Sequence, residues 1–81
     1  MRTSTESVRL RVVSGNVKCW GVTIPQGEYE GHIDWEFPDD EAEPRMSAVQ
    51  LIPEKLPELA NKPCEVRQYL MSGDIEPVGS N

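Results

Sequence analysis

Histidine is nearly missing from this 81-residue chain, with His32 its single example, and cations are scarce: eight Lys and Arg stand against fourteen Asp and Glu, a formal net charge of −6. Few cations disfavour direct nucleic-acid binding, which depends on neutralising phosphates, and disfavour an anionic membrane surface for the same reason. One histidine without a defined second partner makes no catalytic site. The serines have no His and Asp companions in a nucleophilic arrangement, and no glycine-rich phosphate loop occurs. The two cysteines, Cys19 and Cys64, lie far apart, form no CxxC pair and have no histidine at metal-ligand spacing. No metal and no cofactor are therefore expected. No apolar run approaches the ~20 residues of a membrane-spanning helix, and the opening Met1-Arg2-Thr3-Ser4-Thr5-Glu6 has no apolar signal-peptide core. A cytoplasmic location is expected. In that setting the cysteines read as buried thiols acting as small hydrophobes; a disulfide needs their Cβ atoms to meet and is opposed by the compartment.

What is present is strand pattern. A chain this short forms one domain, and seven prolines with six glycines favour short elements and tight turns. Val8-Arg9-Leu10-Arg11-Val12 alternates with period two, a half-buried strand with its arginines outward. Ser14-Gly15-Asn16 reads as a hairpin connection. Val17 to Ile24 follows as a second strand, with Trp20, Val22 and Ile24 on one face and Gly21 as a bulge. The clearest alternation is the third: Tyr29, Gly31, Ile33, Trp35 and Phe37 interleave with Glu30, His32, Asp34 and Glu36, giving one aromatic face and one polar face. Met46 to Ile52 is a fourth strand. Leu56, Leu59 and Ala60 then mark a helical turn that Pro57 keeps short, and Cys64 to Met71 reads as a fifth strand.

These elements predict a mainly β fold: a small five-stranded SH3-like barrel with a short helical turn before the last strand, an OB-like barrel being the alternative. Residues 1–6 are expected to be a frayed terminus, 7–71 the barrel and 72–81 a flexible tail. The expected core is Val8, Leu10, Val12, Trp20, Val22, Ile33, Trp35, Val66 and Leu70. Val13, Val17, Leu51, Tyr69 and Met71 fall on outward or ambiguous positions, and a patch of these suits an interface between copies. A homo-oligomer is expected, because so small a domain buries little surface alone.

Two segments carry a resemblance. Tyr29-Glu30-Gly31-His32-Ile33-Asp34-Trp35 resembles the aromatic-x-Gly-x-Ile strand of the type II dihydrofolate reductases, and Val49-Gln50-Leu51-Ile52-Pro53, followed by Leu56 and Leu59, is similar to their Val-Gln-Ile-Tyr-Pro strand and following turn. The resemblance covers about a quarter of the chain. It implies an SH3-like barrel, and in that family the Gln and Tyr of this strand line a pore at the centre of a homotetramer where folate and nicotinamide cofactor meet. Gln50 carries over; Ile52 stands at the tyrosine position, and no basic residue lies between Lys18 and Arg45, so the lysine just before the Gly-x-Ile strand is missing.

The candidate binding residues are mostly acidic. Glu28, Glu30, Asp34, Glu36, Asp39, Asp40, Glu41 and Glu43 fall within residues 28–43, a stretch holding no Lys or Arg. They form a solvated acidic face or a surface for a basic protein partner. His32, between Glu30 and Asp34, offers an acid–base group or one metal ligand, and Gln50 joins the set through the resemblance. The aromatics Trp20, Tyr29, Trp35 and Phe37 fill a core or offer a shallow groove to a proline-rich peptide. The leading expectation is a non-enzymatic protein-interaction module that self-associates. The alternatives are an acidic inhibitor, mimicking nucleic acid against a basic DNA- or RNA-binding protein, and an oligomeric enzyme whose active site is shared between subunits.

Overall fold

The strong alternation of the third expected strand becomes β4 (Gly27–Phe37), the spine of the molecule in a computed structural model that describes residues 2–39, 43–54 and 56–79. β4 pairs antiparallel with β1 (Arg2–Val12) along its whole length, from Arg2 opposite Phe37 to Val12 opposite Gly27. On its other side runs β5 (Arg45–Ile52), with a bulge near Asp34 and Trp35. A short β6 (Ile75–Pro77) adds to the outer edge of β1, so the order is β5-β4-β1-β6. β2 (Lys18–Cys19) and β3 (Val22–Thr23) form a separate tight hairpin. A 3-10 turn spans Pro57–Leu59, and α1 spans Arg67–Ser72. The fold is mainly β, and its main sheet curls into a half-barrel.

The core gathers at the end of the sheet where β6 joins. Leu10, Val12, Val17, Ile24, Val49, Val66, Cys64 and Ile75 are fully buried there, with Tyr29, Leu51 and Leu59 beside them. Gly31 permits the packing. A Cβ at that position would come within 2.6 Å of the Gln50 carbonyl oxygen and 3.1 Å of Leu10 Cδ1.

Several expectations change. Residues 2–6 are not frayed, because the long β4 offers a template and Thr3 and Thr5 suit an extended partner. The segment after residue 72 is not all tail: Ile75 is buried and anchors β6, and Val78 N–H bonds the Arg9 carbonyl. The fifth strand stops early. Cys64 and Val66 exchange main-chain bonds with β5, with Leu51 N–H donating to Cys64 and Val66 N–H to Val49. The chain then turns helical through Arg67, Gln68, Leu70 and Met71, all good helix formers. Gly73 ends α1 in the left-handed region, φ 91°.

Among the expected core residues, Trp20 is 64% exposed, because the two-residue turn at Trp20-Gly21 breaks the alternation that would place it on one face with Val22 and Ile24. Trp35 is half-buried, and Val8, Val22, Ile33 and Leu70 pack only partly against the core. Val17 and Leu51, at positions outward or ambiguous in the sequence, are buried, while Met71 is exposed at 84%. Cys19 and Cys64 are not free thiols: they are joined as a disulfide with Cα atoms 5.5 Å apart. No helix among the described residues is long and apolar enough to cross a membrane.

Candidate functional site

Placing the acidic residues on one strand face does not leave them all available. Arg9 and Arg11 stand opposite Glu30 and Glu28 on the same outer face. Arg11 donates to Glu28 Oε2 at 3.0 Å and to Glu76 Oε1 at 3.1 Å, and Arg9 pairs with Glu30. The two carboxylates hold the Arg11 guanidinium above its ordinary pKa. This ladder engages Glu28 and Glu30 inside the molecule. Further along β4, Asp34 Oδ1 accepts from the Thr5 hydroxyl at 3.0 Å, and Glu36 faces Thr3 on one side and Arg45 on the other. Glu43 is exposed beyond the strand and Asp39 lies in the loop; Asp40 and Glu41 lie outside the described residues. The expected acidic site is thus divided between a ladder near the core and the far end of the ribbon.

The two remaining candidates come together. His32 on β4 stands directly opposite Gln50 on β5. Both line a cleft of about 410 Å³ closed on its other side by Pro53, Glu54 and the segment Leu59 to Pro63. That volume falls in the range of ligand sites. His32 Nδ1 is 3.3 Å from Asp34 Oδ1 but not aligned for a hydrogen bond, and it is buried with no hydrogen-bond partner among the described residues. Leu51, Pro53, Leu59 and Pro63 make the walls largely apolar, while Gln50, Asn61 and Lys62 supply polar groups.

Trp20 stands against the Lys62–Pro63 wall. Its indole N–H donates to the Pro63 carbonyl at 2.8 Å, and Lys62 Nζ lies 5.9 Å from its ring centre, within cation–π range. The neighbouring disulfide ties Cys19, beside Trp20, to Cys64, beside Pro63. Trp20 and Asn61 have φ of 55° and 64°, and they are the two non-glycine residues with positive φ among the described residues. For a side chain as large as tryptophan that backbone costs about 1–2 kcal/mol. Strain of this kind collects at functional sites.

Comparison with known protein families, curated proteins and solved structures returned no match. The geometry alone carries the reading. Among the described residues, no group of three or more His, Cys, Asp or Glu is placed to hold a metal ion. What the cleft offers is an apolar trough and a pair of amide side chains, with a pinned, exposed indole against its Lys62–Pro63 wall. Sequence reasoning found His32 and Gln50 and offered Trp20 as one of four aromatics for a groove, but missed Asn61 and Lys62 in the lining and the place of Trp20 beside it. One signal was present: an aromatic followed by glycine inside a β segment fits a two-residue hairpin turn, with both residues at positive φ. Such a turn puts the aromatic at the tip, not in the core.

Proposed function

We propose that the protein is a non-enzymatic interaction module that takes an extended peptide segment of a partner protein into the cleft beside Trp20. The observation that carries this is Trp20 itself. Its ring is exposed, yet its backbone, indole N–H and neighbouring cysteine are all fixed. A rigid exposed tryptophan beside a largely apolar trough has the character of a binding anchor, because it is ordered before the partner arrives. Gln50 and Asn61 suit the main-chain amides of an extended segment.

The five-stranded SH3-like barrel stays with this proposal as its fold. The β5-β4-β1-β6 order, with the last strand beside the first, and the 3-10 turn late in the chain support it. Of the pore residues implied by the resemblance to type II dihydrofolate reductases, the chain carries Gln50 alone, so we do not extend the proposal to their activity. The disulfide inclines us to an oxidising compartment, where such bonds persist, in place of the expected cytoplasm.

The test is a selection of displayed random peptides against the oxidised protein, with Trp20→Ala as the counter-target. Enriched peptides that bind the parent and lose most of their affinity for Trp20→Ala support the reading. Enrichment of nothing, or of peptides indifferent to Trp20, contradicts it.

A further inference from the structure

The two edges of the main sheet are finished differently. The β5 edge is covered: segment 64–66 bonds to Leu51 and Val49, Glu65 Oε2 accepts from Val49 N–H at 2.9 Å, and Arg67 Nη1 donates to the Met46 and Ser47 carbonyls. Side chains thus take up main-chain groups that another strand could otherwise use. The β1 edge is covered only at its end. β6 pairs with Leu10, Arg11 and Val12, and Val78 extends this cover to Arg9. From Arg2 to Val8 no strand among the described residues pairs with that edge, although β4 holds the same residues extended on the other side. A hollow of about 310 Å³, lined by Ser7, Val8, Pro77 and Val78 among others, marks where the cover stops.

We infer that this edge joins a second copy of the chain, β1 pairing antiparallel with β1 about a two-fold axis at Ser4. The sequence Arg2-Thr3-Ser4-Thr5-Glu6 is self-complementary in that register. Ser4 meets Ser4 of the second copy, Thr3 meets Thr5, and Arg2 meets Glu6 at both ends. The backbone phase agrees. The Arg9 carbonyl points to the open edge, since it accepts from Val78, so by the two-residue period the N–H and C=O groups of Thr3, Thr5 and Ser7 point there as well. Thr3 and Thr5 therefore form the hydrogen-bonded pairs. Arg2 and Glu6 form the non-hydrogen-bonded pairs, whose side chains approach more closely. Opposite charges and paired threonines across strands both stabilise such a ladder.

The axis is isologous, so each contact occurs twice and the assembly closes as a dimer. It builds one continuous sheet, β5-β4-β1 from each copy. Trp35, opposite Ser4 on β4, then lies near the axis in both copies. The cleft beside Trp20 takes no part, so this inference does not rest on the proposed peptide function.

The test uses light scattering and sedimentation of the full chain from low micromolar to near-millimolar concentration. The parent is expected to be dimeric at the upper end. Arg2→Glu and Glu6→Arg should each weaken the dimer about tenfold or more, because like charges then face each other at both ends. An equimolar mixture of the two variants restores opposite charges at both ends and should form a heterodimer. Thr5→Pro removes an N–H from the open edge, along with the hydroxyl that donates to Asp34, and should also give monomer. Should Thr5→Pro fail to fold, the charge variants decide: Arg2 also stacks on Phe37 and Glu6 accepts from the Trp35 indole, but only pairing across the axis lets the equimolar mixture regain the dimer. A parent that stays monomeric throughout, or a dimer indifferent to all three changes, overturns the inference. Trp20→Ala, by contrast, should leave the dimer intact whatever it does to peptide binding.

Discussion

Gly31 shows how one residue can set the spacing of three strands. Leu51 stands opposite it on β5 and Val8 on β1. A methyl group there has no room: the obstacle is the Gln50 main-chain oxygen, which cannot swing aside as a side chain would. Gly31→Ala should therefore destabilise by about 1–3 kcal/mol or more, read as a lower denaturation midpoint at unchanged slope in a urea titration. A variant as stable as the parent would show that the strands can separate without loss. In the sequence Gly31 is visible as one member of an alternating strand and as the glycine of the aromatic-x-Gly-x-Ile segment. Its reason for being glycine lies in a contact with a residue nineteen positions away, which no local pattern displays. Trp20 fails to be legible differently: counting by twos through Gly21 puts it inside, and the turn that reverses the count is the feature that exposes it.

At the scale of elements, β4 was fully legible because its alternation is long and unbroken. α1 was not, because Cys64 to Met71 alternates as well as a strand does, and the deciding factors are helix-forming residues and a closing glycine. β6 was hidden inside a polar tail, where Ile75 is the sole strongly apolar residue before Val78. The joint between α1 and β6 makes a pH-dependent prediction. Asp74 accepts from the Ser72 hydroxyl at 2.8 Å, and its own carbonyl accepts from Val13 N–H. Hydrogen bonds from Ser14 first, then Ser72 and Asn16, hold its carboxyl below the ordinary range. A lowered carboxyl stabilises the fold above the ordinary carboxylate pKa, and that stability is lost as pH falls through the folded value. Asp74→Asn should thus melt lower than the parent at neutral pH, and the gap should narrow in acid. A gap of constant size across the titration would show that the charge of Asp74 plays no part.

At the scale of the whole molecule, the disulfide joins parts of the chain that lie far apart in sequence. It links residues 45 apart in sequence and ties the β2–β3 hairpin to the segment that covers β5. On the chain-entropy account a loop of that length contributes about 4 kcal/mol, a large share of what so small a domain has. Reduction should lower the melting temperature by about 10 °C or more, as calorimetry with and without reductant would show. Equal melting temperatures would mean that the core alone holds the hairpin. The pairing was not legible because the distance between two cysteines is a property of the fold and not of their spacing. The same holds for the candidate site. His32 and Gln50 were readable one by one, but the cleft they line reaches Trp20 only through Lys62 and Pro63, beside the bond between Cys19 and Cys64.

That one partner segment engages both the cleft and Trp20 is the central claim, and nuclear magnetic resonance tests it most directly. The oxidised, nitrogen-15-labelled protein is titrated with a peptide from the selection, and amide and indole signals are followed. The Trp20 indole N–H, the Gln50 and Asn61 side-chain amides and the main-chain amides of Ala60 to Lys62 are expected to shift together. The Trp35 indole N–H, held by Glu6 Oε1 at the far end of the ribbon, should stay in place. Shifts confined to the acidic end around Asp34, Glu36 and Asp39, with the Trp20 indole unmoved, would contradict the account.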